Sequence, residues 1–123
     1  ADIDNFKQVN DDYGHEAGDY WIREIATMLQ TVCNPDDIVC RYGGDEYIIF
    51  LKEVQDIEEL KVRMDRVKNC IHNKAIEKHQ DVHCSIGFYQ VKGSGKTLQE
   101  CIEGADALLY QAKKNGKNIY SIG

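Results

Sequence analysis

Residues 41–50, which read RYGGDEYIIF, place two glycines and two carboxylates between apolar runs that are typical of strands. Gly43 and Gly44 favour a tight turn, and the flanking runs have the composition of paired strands. The stretch therefore predicts a β-hairpin. A plain hairpin does not need an acidic pair at its tip, so Asp45 and Glu46 are either a solvated turn or part of a site.

Outward from the hairpin, the hydrophobic pattern alternates between helical and strand spacing. The predicted order is a strand end, a helix over 16–33, the hairpin, a helix from Asp56, a strand over 82–91, a helix from Thr97 to Gly116 and a last strand over 117–122. Hairpin and crossover connections occur together in this order. We therefore predict one α/β (α+β) domain over residues 1–123, with a mixed sheet flanked by helices.

Composition restricts the function classes. The chain has 123 residues and a formal net charge of −6, which argues against binding to a nucleic-acid polymer or contact with a membrane surface. The sequence contains no apolar run of membrane-spanning length. Its five cysteines form no C-x-x-C pair, and we expect reduced, mostly buried thiols in a cytoplasmic protein.

The segment VKGSGKT, residues 91–97, lies between a predicted strand and a predicted helix, where a phosphate-binding P-loop would lie. That motif requires a glycine five residues before Gly95, and Gln90 stands there instead. A surface loop with Thr97 as the N-cap of the next helix explains the segment more simply.

The amino-terminal segment ADIDNF offers oxygen atoms to a hard cation. Magnesium prefers such ligands and usually shares them with substrate phosphates. We expect only one of Asp2 and Asp4 to face a ligand, beside the carbonyl of Ile3 and the amides of Asn5 and Phe6. Taken alone, the segment is explained better by a strand followed by an Asx-rich turn.

Asn10 and Asp19 are candidates for reading a base edge. An aspartate accepts from adjacent N–H donors such as those of guanine, and an asparagine serves a donor and an acceptor together. The alternative is helix-start chemistry, because an acidic residue near a helix amino terminus is favourable against the helix dipole.

Three segments in register, DIDNFKQVNDDYGHEAGD, RYGGDEY and ADALLYQAKKNGKN, resemble the GGDEF family, the diguanylate cyclases. The resemblance runs across essentially the whole chain. It implies a fold like that of the nucleotidyl cyclases and the polymerase palm. It also implies Mg²⁺- or Mn²⁺-dependent condensation of two GTP molecules into cyclic di-GMP, with release of pyrophosphate, in a head-to-tail homodimer. Family members serve bacterial signalling and usually carry an upstream sensor domain in a longer, sometimes membrane-anchored protein.

The resemblance also assigns roles to residues. Asp2, Asp45 and the carbonyl of Ile3 would coordinate the metal. Glu46 would be a further ligand or would assist deprotonation of the 3′-hydroxyl. Asn10 and Asp19 would bind guanine, and Gly43 and Gly44 would let the nucleotide come close to the backbone. The phosphates would be bound by Asn5, Phe6, Lys7, Lys113 and Lys117.

The chain departs from the family pattern at several points. Tyr47 stands where the family has Phe, and we expect this change to be tolerated. Lys117 stands where an Arg is usual, which loses the bidentate contact to phosphate. In the family's R-x-x-D inhibitory site Asn34 replaces the Arg and Asp37 is kept, so we predict no product inhibition there.

The amino-terminal segment of the family is not recognisable in this sequence. We therefore expect a truncated domain in which a first strand reduced to ADI leaves a central position of the sheet poorly filled. The alternative function that the motifs allow is a catalytically weak or inactive GTP-binding regulatory module.

Overall fold

One mixed sheet forms the centre of the computed structural model, which describes residues 1–91, 93 and 95–123. The elements in chain order are β1 (Asp2–Ile3), α1 (Phe6–Tyr13), α2 (His15–Thr31), β2 (Ile38–Gly43), β3 (Glu46–Phe50), α3 (Ile57–Lys78), β4 (Cys84–Phe88), α4 (Leu98–Lys114) and β5 (Tyr120–Ile122). The predicted hairpin is confirmed as β2 and β3, and the predicted α/β class is confirmed with it.

The strand order across the sheet is β2-β3-β1-β4-β5. β1 pairs antiparallel with both β3 and β4, whereas β4 and β5 run parallel. The parallel pair is joined by α4, because parallel neighbours require a crossover connection. β1, the strand that carries the first candidate ligands, therefore lies in the middle of the sheet.

The predicted apolar stripes of α2 and α3 form the core. Trp21, Ile25 and Leu29 of α2 are fully buried, and Met64 and Val67 of α3 are 1% exposed. The predicted N-caps are also confirmed. The side chain of Asp56 accepts from the backbone N–H of Glu59 at the start of α3, and Thr97 and Glu100 form a reciprocal capping box at the start of α4.

Helix α1 corrects the sequence prediction, which assigned a turn to this segment. Phe6, Val9 and Tyr13 stand at helical spacing, but the segment has only eight residues, is mostly polar and buries only Val9, which is also typical of a turn. Its N-cap, Asn5, has a positive φ of 51° and makes no side-chain cap. The helix is supported by packing against α2, where Gly18 lets Asn10 approach closely.

The predictions for the cysteines and for the loop over residues 92–95 have different outcomes. The expectation of mostly buried thiols is wrong, because Cys40 and Cys70 are exposed and only Cys84 is buried. The predicted loop over residues 92–95 lies partly outside the described residues. Among those that are described, no helix is both long and apolar enough to cross a membrane.

A cavity of about 850 Å³ lies between β3 and β4, beyond the end of β1. Its lining includes the consecutive residues 46–52 and 86–91, so side chains that point to both faces of the sheet line it. The cavity therefore lies within the plane of the sheet. Ala1 lies at its edge and exchanges backbone hydrogen bonds of 2.9 Å and 2.8 Å with Tyr47.

Candidate active site

Asp2 and Asp45 approach each other where β1 meets the hairpin. Asp2 pairs with Glu46 across the two strands, and the N–H of Ile3 donates to the carbonyl of Asp45 at 3.3 Å. These backbone contacts bring the Asp2 and Asp45 carboxyl groups within interaction distance. Two residues that are 43 positions apart in the sequence thus share one small acidic site.

One oxygen of the Asp2 carboxyl group has no hydrogen-bond donor among the described residues. Burial, and then the neighbouring Asp45, raise its pKa to about 7, although Lys113 acts in the opposite direction. Its Oδ1 atom is buried and has no hydrogen-bond partner among the described residues. A buried carboxylate oxygen without a donor, next to a second carboxylate, is the environment that a divalent cation stabilises. The donor set thus fits a hard metal ion.

Glu46 takes a different position from Asp45. As the Cα partner of Asp2 it is on the same face of the sheet, where it borders the cavity beside Ala1. The described part of the chain has no group of three or more His, Cys, Asp or Glu side chains arranged to hold a metal ion. The acidic pair at the site therefore consists of Asp2 and Asp45.

Lys113 reaches Asp2 and Asp4 from the carboxyl-terminal turn of α4. Its Nζ lies 3.3 Å from an oxygen of Asp2 and 3.4 Å from an oxygen of Asp4. Partial burial alone would lower the Lys113 pKa, but the two carboxylates outweigh it and raise the pKa above its ordinary value. Asp2 and Asp4 thus lie on the same side, as residues two apart on a strand end do, but only Asp2 keeps a buried oxygen without a donor among the described residues.

Asp4 is the residue whose importance the sequence prediction missed. It is 4% exposed, and its carboxylate accepts from the hydroxyl of Ser85 at 2.6 Å and from the backbone N–H of Asn118 at 2.8 Å. With Lys113 this makes three donors on one buried acid, which joins β1, β4 and the segment after α4. The D-x-D spacing was the available signal for this role.

Two of the candidate phosphate-binding residues meet at the start of α1. The Nζ of Lys117 donates to the Oδ1 of Asn5 at 2.7 Å, and both residues have positive φ angles, of 64° and 51°. Phe6 begins α1 and is half-buried, and Lys7 is exposed. Asn5 follows Asp4, which Lys113 contacts, so the Asn5–Lys117 pair lies next in sequence to the Lys113 contacts.

The candidate guanine-reading residues lie on α1 and α2, and Asn10 is in close contact with α2 at Gly18. A Cβ built on Gly18 would lie 1.9 Å from Oδ1 of Asn10, so any larger residue there would displace the Asn10 side chain. Asp19, the next residue of α2, is exposed. Gly18 thus allows the close approach of Asn10 to α2 one residue before Asp19.

The two hairpin glycines leave the turn open. A Cβ built on either Gly43 or Gly44 would meet no heavy atom of the described residues within 4 Å. Gly44 has a φ of +52°, a conformation that a side chain would strain, and its carbonyl accepts from Arg41 Nε at 2.8 Å. The backbone next to Asp45 is accordingly accessible to a ligand.

Tyr47 follows the acidic pair and is only 3% exposed. Its hydroxyl donates to the carbonyl of Ile22 in α2, and burial, followed by nearby Cys84, raises its pKa to about 12. The expected tolerance of tyrosine at this position thus has a structural explanation. The ring fills the core, and the added hydroxyl has an acceptor.

Asn34 and Asp37 lie in the turn between α2 and β2, away from the acidic pair. The carboxylate of Asp37 accepts from the backbone N–H groups of Asn34 and Lys52 at 2.8 Å and 2.9 Å, and Arg63 lies 3.9 Å away. The Asp37 side chain is 1% exposed. Its charge is therefore used inside the fold and is not presented to a ligand.

A family model and several curated proteins match nearly the whole chain. The family model described as "Diguanylate cyclase, GGDEF domain" matches residues 1–119. Diguanylate cyclase A of Treponema denticola is 34% identical over 120 residues, which is 95% of this chain and 32% of that protein. Diguanylate cyclase DgcS of Shewanella oneidensis is 31% identical over 121 residues, which is 98% of this chain and 40% of that protein. This chain thus spans less than half the length of these two curated relatives.

A solved structure gives the same result for the fold. The active GGEEF domain of a diguanylate cyclase from Vibrio cholerae superposes with a TM-score of 0.81 at 28% sequence identity. The match covers 98% of this chain and 78% of that one.

Proposed function

The chain belongs to the GGDEF family of diguanylate cyclase domains, and we propose that it condenses two GTP molecules into cyclic di-GMP in the bacterial cytoplasm. The 3′-hydroxyl of each GTP attacks the α-phosphorus of the other. Each attack forms one phosphodiester bond, breaks the bond to the β-phosphate and releases one pyrophosphate. The observation that carries the proposal is the buried, unpartnered oxygen of Asp2 beside Asp45, within reach of Lys113.

The metal-binding residues in this proposal are Asp2, Asp45 and the carbonyl of Ile3. A bound Mg²⁺ or Mn²⁺ supplies neutralisation of triphosphate charge and lowers the pKa of the attacking hydroxyl. Glu46, the cross-strand partner of Asp2, either completes the ligand set or accepts the hydroxyl proton. In both roles its carboxylate must be ionised.

The remaining candidates bind and orient the nucleotide. Asp19 accepts from the N–H groups of the guanine edge. Asn10, which is in close contact with Gly18, both donates to that edge and accepts from it. Lys113 exchanges its contact with Asp2 for a contact with phosphate, while Asp4 keeps the lysine in reach. Lys117 binds the outer phosphates as a point charge, without the fork of an arginine.

One domain presents one GTP, so the reaction requires a second copy facing the first. We propose a head-to-tail homodimer in which each acidic site faces the GTP of its partner. Product inhibition through the turn at residues 34–37 does not occur, since Asn34 carries no charge and the Asp37 carboxylate is held by backbone donors. Added cyclic di-GMP is therefore expected to leave the initial rate unchanged.

The decisive experiment measures product by mass. Protein containing this chain is incubated with GTP and Mg²⁺, and cyclic di-GMP is quantified in the wild type and in Asp45→Asn. We expect product from the wild type and at least about a hundredfold less from the variant, because the substitution removes a ligand charge. The matched control is Asp36→Asn, the same chemical change at an exposed residue of the turn before β2.

The outcomes separate the candidate functions. Loss of product in Asp45→Asn with retention in Asp36→Asn supports the cyclase. A wild type that binds GTP without forming product would support the regulatory GTP-binding module instead. A wild type with no affinity for guanine nucleotides contradicts both functions.

A further inference from the structure

Tyr47 has one polar group that the proposed chemistry does not use. Its phenol ring lies in the core, directly after Asp45 and Glu46, and its hydroxyl donates to the carbonyl of Ile22 within α2. A mid-helix carbonyl already accepts from the N–H four residues further on, and its second lone pair is available to the hydroxyl. The bond therefore adds a connection between the hairpin and α2 without removing one from the helix.

The backbone of Tyr47 extends this connection to β1. Its N–H donates to the carbonyl of Ala1 at 2.8 Å, and its carbonyl accepts from the amino group of Ala1 at 2.9 Å. Asp2 follows immediately and faces Asp45. Tyr47 thus holds both carboxylate-bearing segments through its backbone and α2 through its side chain.

The far end of this connection is the guanine-reading side of the site. Ile22 lies three residues after Asp19 on α2, about one helical turn away. Gly18, next to Asp19, is in close contact with Asn10 of α1. Within the described part of the chain, the Tyr47–Ile22 bond is the hydrogen bond that joins α2 to the hairpin.

We propose that the Tyr47 hydroxyl is a positioning group that fixes the spacing between the Asp2–Asp45 carboxylates and the guanine-reading edge formed by Asn10 and Asp19. The inference rests on the proposed function. A GTP molecule held at both ends must match this spacing, so the bond makes guanine recognition depend on correct seating of the triphosphate. A residue acting in this way determines specificity through geometry and does not contact the nucleotide.

The experiment compares two nucleotides that differ in one donor group. The probes are 3′-deoxyGTP and 3′-deoxyITP, each with Mn²⁺. Both lack the attacking hydroxyl and cannot react, and the inosine form lacks the 2-amino group of guanine. Isothermal titration calorimetry gives the ratio of their dissociation constants in the wild type, in Tyr47→Phe and in Tyr13→Phe. Tyr13 is the matched control, because its hydroxyl also makes a single hydrogen bond, from the backbone N–H of Asp81.

We expect the wild type to prefer the guanine nucleotide by about tenfold. In Tyr47→Phe this preference should fall about three- to fivefold, because the two ends of the site are no longer held at a fixed spacing. Tyr13→Phe should keep the wild-type ratio. A hydroxyl that serves only stability leaves the ratio unchanged, since unfolding lowers binding of both nucleotides equally.

An unchanged ratio in Tyr47→Phe overturns the inference and leaves the proposed function standing. A wild type that binds neither nucleotide overturns the proposed function and the inference together. A wild type that binds both nucleotides equally contradicts the guanine-reading assignment, and with it the inference. A fall in the ratio in both variants also overturns the inference, because the loss would then be common to any missing hydroxyl bond.

Discussion

At the scale of single residues, Asp2 makes the site sensitive to pH. Its pKa is about 7 in the folded protein, against an ordinary value of 3.8, because of burial and then the neighbouring Asp45. The folded protein therefore binds more protons than the unfolded chain between these pH values. The contribution of Asp2 to the free energy of unfolding therefore falls as pH rises from about 4 to about 7.

The first prediction follows from this fall in stability with rising pH. In EDTA, the wild type should lose thermal stability relative to Asp2→Asn as pH rises from about 5 to about 7.5. The asparagine stays neutral throughout, so the difference between the two melting curves isolates Asp2 from the histidines. A difference that stays constant over this range would contradict the raised pKa. With Mn²⁺ and 3′-deoxyGTP present, the sign should reverse, because the ligand requires an ionised carboxylate.

Lys113 carries the second prediction. Replacing it with glutamine removes the cation that neutralises Asp2 and Asp4, while Asp4 keeps the Ser85 hydroxyl as a donor. We expect the free energy of unfolding to fall by about 2 kcal/mol at neutral pH, measured by urea denaturation. Lys114→Gln, the same change at the exposed next residue, should be nearly neutral. Equal losses in the two variants would show that the ion pairs do not stabilise the fold.

The limits of sequence-based prediction are clearest at this scale. The motifs were sufficient to propose Asp2, Asp45 and Lys113, since these residue types appear at the family's spacing. They did not indicate that Asp4 is buried with three donors, because its partners come from β4 and from the segment after α4. A contact between residues about 80 to 114 positions apart leaves no local pattern in the sequence.

At the scale of secondary structure, α4 is positioned by its contact with β4. A Cβ built on Gly87 would lie 2.2 Å from the backbone nitrogen of Leu109 and 2.5 Å from the carbonyl oxygen of Ala105. Backbone atoms in a helix cannot shift as a side chain can. The glycine therefore sets the distance of α4 from the sheet, and with it the reach of Lys113 one turn further on.

The third prediction follows from that contact. Gly87→Ala should lower the free energy of unfolding by about 3 kcal/mol, since α4 must move away from the sheet. It should also weaken nucleotide binding, because Lys113 moves with the helix. Gly95→Ala is the control, as a Cβ there meets no heavy atom of the described residues within 4 Å. A folded Gly87→Ala variant of wild-type stability would contradict the close packing.

The long helices α2 and α3 were predictable from the sequence, and the short, mostly polar α1 was not. α2 and α3 place buried apolar residues on one stripe, and their assignment from sequence is confirmed. α1 buries only Val9 and depends on α2 for support, so its residues resemble a polar turn. Its formation is decided by tertiary contact and not by propensity.

At the scale of the whole molecule, a cavity of about 850 Å³ separates β3 from β4 next to the point where β1 begins. β1 pairs with both neighbours only at Asp2 and Ile3, whereas each neighbour continues for several residues beyond it. The backbone groups of β3 and β4 that face the cavity have no strand between them. Unfilled volume and unpaired backbone inside a sheet both reduce stability.

The last prediction fills this cavity by design. Five apolar residues, Val-Ile-Val-Ile-Val, joined to the amino group of Ala1 would continue β1 antiparallel to both β3 and β4. Both faces of the added strand must be apolar, because the cavity lining includes both faces of its neighbours. We expect the free energy of unfolding to rise by at least about 2 kcal/mol, since burial and strand pairing outweigh the ordering of five residues. Hydrogen exchange of the amides of β3 and β4 should slow at the same time. An equally long Gly-Ser-Gly-Ser-Gly extension is the control, and equal stability of the two extended proteins would contradict the expectation.

A rigid first strand would also hold Asp2 more firmly against Asp45, so the same extension should tighten Mn²⁺-dependent binding of 3′-deoxyGTP.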